Sequence, residues 1–164
     1  MFCDEALVAL TGACNALKPG GRFAALVFFG PQNNPCLTIM MQTALRHAGL
    51  TADAPSPFAA GTLMSLGKPG LLAQLLNEAG FVDIKVQPVT APFRLPQSRN
   101  YIDFVRSAGS PIMHILAPLT EAEQRDAWDD MEAQLNAFST TQGWIGPHEL
   151  LLCSATALNA PYAL

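Results

Sequence analysis

Charge is scarce in this sequence. Its 164 residues hold 9 Lys plus Arg and 13 Asp plus Glu, 13% in all, where globular chains usually carry about 25%. The formal net charge is −4, and no run of basic residues occurs. The footprint needed for a nucleic-acid or anionic-membrane partner is therefore missing, and neither is expected. The opening Met1-Phe2-Cys3-Asp4-Glu5 is acidic where a secretory leader needs positive charge, so no export signal is expected. The longest uncharged stretch, 23–45, is broken by Gly30-Pro31-Gln32-Asn33-Asn34-Pro35, leaving neither half long enough to span a bilayer. Cys3, Cys14, Cys36 and Cys153 form no C-x-x-C pair and sit in apolar surroundings, as buried thiols do in a reducing, cytoplasmic compartment. His47, His114 and His148 stand far apart with no His or Cys at ligand spacing, so no metal site is expected. The stretch 61–68 fails as a phosphate-binding loop: five residues separate Gly61 from Gly67 where four are needed, and Pro69 replaces the Ser or Thr that holds magnesium.

What the chain does have is apolar residues, 50% of the total. That is too many for a disordered chain and enough for one packed core, so a single domain over 1–164 is the expectation. Leu7, Leu10, Cys14 and Leu17 recur at helical spacing, and Lys18-Pro19-Gly20-Gly21 stops that helix. Residues 22–29 then form a continuous apolar run of strand length, which reads as a strand buried on both faces. Residues 36–48 read as a helix closed by Gly49, and 50–67 as a loop. Pro69 suits a first helical position, and Leu71, Leu72, Leu75, Leu76 and Ala79 mark one face of a helix ending at Gly80. Val82, Ile84 and Val86 alternate with polar residues before Pro88, as in an edge strand. Ser98 is a candidate cap for a helix over 99–107. Thr120-Glu121-Ala122-Glu123 is a capping box opening a longer helix with Trp128, Met131, Leu135 and Phe138 on one face. Residues 149–157 are again mostly apolar and read as an interior strand, giving three strands in all.

The junction Leu17-Lys18-Pro19-Gly20-Gly21-Arg22-Phe23, the later Glu78-Ala79-Gly80-Phe81, and the order of elements resemble the C-terminal half of class I S-adenosylmethionine-dependent methyltransferases of the type 11-like group. The resemblance covers nearly the whole chain. It implies an α/β, partial Rossmann-like methyltransferase fold whose short mixed sheet has three strands. The last of these would run antiparallel between the other two, with a helical insertion over 90–148 before it. The implied family reaction is methyl transfer from S-adenosyl-L-methionine to a small-molecule acceptor, an in-line displacement in which the enzyme chiefly positions two reactants.

Such enzymes hold the cofactor on a Gly-rich turn after the first strand, with an acidic residue after the second gripping the ribose. The sequence has no G-x-G-x-G. Met1 is then expected to match an internal methionine of a longer ancestor, with the first four strands and most of the cofactor site absent. The chain alone is expected to be inactive, to be completed by a separate N-terminal half, or to act as a noncatalytic dimeric binding module or structural remnant. The strand at 22–29 would lie open along one edge, so a homodimer through that edge or adjacent helices is expected.

Candidate substrate contacts follow from position. Phe28 and Phe29 sit at the C-terminal end of their strand, where open α/β sheets place ligands, although both also suit core packing. Asn33 and Asn34 could donate hydrogen bonds to an acceptor or serve as turn residues beside Pro35. His114, within an apolar stretch, reads as a core or interface histidine or as a base. Trp144 and His148 could wall a pocket beside Tyr101, or merely form turns. Asp4 and Glu5 read as charges at a helix N-terminus.

Overall fold

The computed structural model describes residues 3, 5–51, 56–108 and 111–158. The expectation for Asp4 lies outside them. In chain order the elements are α1 (Ala6–Ala16), β1 (Arg22–Phe28), a 3-10 turn (Pro31–Asn33), α2 (Pro35–His47), α3 (Leu71–Glu78), β2 (Phe81–Thr90) and β3 (Phe93–Leu95). Then follow α4 (Ser98–Ser107), α5 (Pro111–Leu116), α6 (Glu121–Leu135), a second 3-10 turn (Asn136–Phe138), β4 (Ser139–Thr140), β5 (Gly143–Gly146) and β6 (Glu149–Ala157). None of the described helices is long and apolar enough to cross a membrane.

Where a single domain with an insertion over 90–148 is expected from the sequence, the chain gathers into two compact units. The first comprises the described residues of 1–30, 56–90 and 149–164; the second comprises those of 31–55 and 91–148. The segment expected as an insertion thus shares its unit with α2.

The first unit is built on a three-stranded sheet in the order β1-β6-β2, with β6 antiparallel to both neighbours. The last strand is central, as its apolar sequence implies, and β2 is an edge strand that carries Pro88. Both pairings are antiparallel, so the expected mixed sheet is corrected: no parallel pair of strands is hydrogen-bonded among the described residues. Helix α1 ends before Lys18-Pro19 because proline cannot continue it, and Gly20 takes a φ of 76° to turn the chain into β1. Helix α3 begins two residues later than Pro69 suggests, after Gly70 at φ 80°.

One face of this sheet is covered. Val27, Leu151, Cys153, Ala155 and Phe81 pack with Cys14 of α1 and with Leu72 and Leu76 of α3. The Phe23 and Phe81 rings meet at 5.0 Å across the central strand. The other face begins with Arg22, Ala24 and Leu26, and all three are exposed, Leu26 by 53%. The reading of 22–29 as buried on both faces is therefore corrected. The sequence is apolar throughout, but its unit covers only the residues that alternate toward α1 and α3. Among the described residues β6 is the one strand that pairs with β1.

The second unit packs α2, α4, α5 and α6 around Met40, Ala44, Ile102, Val105, Leu116, Met131 and Leu135. The expected capping box opens α6: Glu123 N–H donates to Thr120 Oγ1 at 3.3 Å while Thr120 N–H donates to Glu123 Oε2 at 2.8 Å. Ser98 is not the cap of α4. Gln97 holds that position in a reciprocal box with Asn100, and Ser98 is buried as the first helical residue, its hydroxyl donating to Asn136 Oδ1 at 2.7 Å. Asp130 fastens α6 to α2 through Arg46 and His47 at 2.5 and 3.0 Å, and the His47 bond is the main cause holding its carboxyl below the usual range. A second small sheet, β3-β5-β4, accounts for three strands beyond the three expected. Strands of two to four residues leave no readable alternation in the sequence.

Leu76 is fully buried where α3 meets the sheet. Leu76→Ala is expected to lower the unfolding free energy by about 2–5 kcal/mol, through lost burial and a residual cavity. Urea unfolding of the two proteins measures it.

Candidate functional site

Three residues far apart in the sequence meet inside the second unit. Asn34 stands at the start of α2, its carbonyl taken by the N–H and hydroxyl of Thr38 at 3.1 Å each. Tyr101 lies on the inward face of α4 with Ile102 and Val105. His148 follows β5, and its backbone carbonyl accepts from Ala91 N–H at 2.8 Å.

Their side chains form a relay. Tyr101 Oη lies 3.0 Å from His148 Nε2, and His148 Nδ1 lies 3.2 Å from Asn34 Oδ1. An amide oxygen only accepts, so with this amide orientation Nδ1 carries the proton and donates to Asn34, leaving Nε2 to accept the tyrosine hydroxyl proton. That pattern requires a neutral imidazole. Burial supplies one, pushing the His148 pKa down to about 4, and it drives the Tyr101 phenol in the opposite direction, well above its ordinary value. Nearby Cys36 is likewise held as a thiol, its pKa pushed up to about 12 by burial.

Aromatic rings enclose the relay. Tyr101 stacks on Trp144 at 5.1 Å, and Phe93 meets Tyr101 and His148 edge-on at 5.3 and 5.1 Å. Trp144 is fixed in turn, its Nε1–H donating to the Leu135 carbonyl at 2.7 Å. A Cβ at Gly146 would sit 2.1 Å from the ring of Trp144, two residues earlier on the same strand, so only glycine leaves room for the indole. With Tyr101, Trp144 and His148 no more than 3% exposed and Asn34 fully buried, the group is sealed from solvent. It holds α2, α4 and the end of β5 in register. A base without access to substrate does no acid–base chemistry on one.

The first unit holds a different feature. A mainly apolar pocket of about 310 Å3 lies between the N-terminal end of α3 and the sheet, lined by Phe29, Pro69, Leu72, Ala73, Val86 and Leu151. The chain reaches it because Gly67 lies against the Phe28 and Phe29 carbonyls, where a Cβ would come within 2.6–2.7 Å.

The sequence-derived candidates therefore divide. Asn34, Tyr101 and Trp144 are brought together, and His148 joins them. Trp144 lies beside Tyr101 as buried packing. The Asn34 amide meets His148 rather than a ligand, and Asn33 sits half-buried in the adjacent 3-10 turn. Phe29 lines the pocket of the other unit. The core reading of His114 is corrected: it is exposed on α5, because Ile112 and Leu116 take the inward positions and residue 114 falls on the opposite face. Sequence reasoning missed the bond from Asn34 to His148, since nothing local marks two polar residues 114 positions apart as partners. Among the described residues no cluster of His, Cys, Asp and Glu is arranged to hold a metal ion.

The buried imidazole gives folding a pH dependence. The unfolded chain takes up a proton near pH 6.5 while the folded chain resists it to about pH 4. The contribution of His148 is thus full above pH 6.5 and is lost on acidification through that window, about 3 kcal/mol in total. Urea unfolding across pH 4–7 is expected to show this slope, and His148→Gln, which does not titrate, is expected to flatten it.

No protein-family model matches this chain, and no curated protein matches it.

Proposed function

We propose that this chain is the acceptor-side, C-terminal part of an S-adenosylmethionine-dependent methyltransferase fold. Methyl transfer to a small molecule is the activity of the completed fold, and this chain alone is a noncatalytic binding module. The observation that carries this reading is the sheet order β1-β6-β2, in which the last strand lies antiparallel between the other two. The family resemblance implies that arrangement. The helix–strand junctions at Lys18-Pro19-Gly20-Gly21 and Ala79-Gly80 precede its two outer strands. The pocket beside Phe29 supports the acceptor side of the reading: it is apolar, placed at the C-terminal end of β1, and of a size that suits a small ligand.

The described residues do not fit the cofactor. No Gly-rich turn links a strand to a helix in the manner that cradles adenosylmethionine. The residues that follow β1 in the chain are Phe29, Gly30 and Pro31, and those that follow β2 begin with Ala91, so neither strand runs into an acidic residue of the kind that grips a ribose. No catalytic step is therefore assigned to this chain.

The edge of β1 away from β6, which pairs with no strand among the described residues, supports a second copy of the chain as partner. Two β1 strands meeting antiparallel about Ala25 would set Phe23 against Val27 and Ala24 against Leu26, with no like charges opposed. Edge strands that remain single usually carry a central charge or proline, and this one has neither. A separate N-terminal half offering a strand would compete for the same edge.

Calorimetric titration of the 164-residue chain with S-adenosylhomocysteine is expected to give no heat at millimolar ligand; micromolar binding overturns the noncatalytic assignment. Sedimentation is expected to show a dimer that Leu26→Lys weakens. A wild-type monomer removes the dimer from the proposal and leaves the fold assignment standing.

A further inference from the structure

Among the arginines Arg22, Arg46, Arg94, Arg99, Arg106 and Arg125, three line a single concavity. Arg99, Arg106 and Arg125 face a space of about 310 Å3 between α4 and α6 in the second unit, with Trp128, Glu121 and Asp129 beside them.

The three groups differ in what engages them. Arg99 ties α4 to α6: Glu132 lies 2.8 Å from its Nη1, and Asp103 and Asp129 are each within 3.8 Å of the guanidinium. That structural role accounts for Arg99 fully. Arg106 instead stands over the Trp128 ring, its guanidinium carbon 5.2 Å from the centroid. Arg125 lies on α6 one turn beyond Glu121. Among the described residues neither Arg106 nor Arg125 has a carboxylate within salt-bridge distance.

We propose that this concavity binds a small organic carboxylate through Arg106 and Arg125. The guanidinium group is a planar fork matched to two carboxylate oxygens, and stacking on Trp128 holds the Arg106 fork in place before a ligand arrives. Less side-chain freedom is then lost on binding. Glu121 and Asp129 in the lining set the charge of the occupant. They oppose a multiply charged anion such as a polyphosphate, while a monoanion between the two unpaired guanidinium groups is accepted. The assignment rests on α4 and α6 alone and is independent of the methyltransferase reading.

Benzoate is the probe. Titrated into the whole chain at constant ionic strength, it is expected to saturate with a dissociation constant on the order of 1 mM and to shift amide resonances of α4 and α6. Arg106→Gln and Arg125→Gln are each expected to weaken binding about tenfold, the loss of one charge-assisted contact. Glu121→Gln is expected to tighten it, a gain that a merely unfolded variant cannot produce, and thermal melts confirm that each variant folds. A linear response equal to that of chloride overturns the proposal, as does unchanged affinity in both arginine variants. Tighter binding of inorganic phosphate than of benzoate overturns the carboxylate assignment.

Discussion

Strand β6 is the constraint on which the first unit depends. It supplies both ladders of the sheet, to β1 on one side and β2 on the other, and its odd-numbered side chains from Leu151 to Ala157 form the floor on which α1 and α3 pack. These pairings join residues more than 120 positions apart at the β1 side, so the sheet closes only after its last segment is in place. Such long-range closure is entropically costly and slow, and it is offset by burying a strand on which both edges are hydrogen-bonded.

The second unit solves a different problem. Its core is made by helices, and the polar residues that enter it do so as a completed network. Tyr101, His148 and Asn34 satisfy one another, Trp144 finds the Leu135 carbonyl, and Gln134 spans Asp130 and Thr43 at 3.0 and 2.9 Å. A buried polar chain of this kind costs little while every member is paired and much if one is removed, so it specifies one arrangement of helices over near alternatives. The neutral imidazole is a consequence of that burial. Two concavities lie outside the network: the apolar pocket beside Phe29 and the arginine-lined space beside Trp128.

Local patterns carried the elements well. The Thr120–Glu123 box, the Lys18-Pro19-Gly20-Gly21 stop and the apolar run of β6 each hold their physics within a few neighbouring residues, and each is where the sequence places it. The failures have a common cause. A continuous apolar run at 22–29 implies cover on both faces, but cover is supplied by other segments, and Leu26 is 53% exposed. The apolar neighbours of His114 admit a core position among other readings, yet its facing is set by the packing of Ile112 and Leu116.

The sequence by itself determined the stop of α1 at Lys18-Pro19, the capping box that opens α6, which strand would be central, and how sparse and acidic the charge is. Those properties follow from backbone conformation, hydrophobic pattern and composition, which are local or additive. Only the tertiary structure decided that residues 31–55 join 91–148 in one unit, that Asn34 meets His148, and that Arg106 and Arg125 share a concavity over Trp128. These are relations between distant segments, and a side chain's partner across such a distance is fixed by how helices and sheets pack, which no short stretch of sequence encodes.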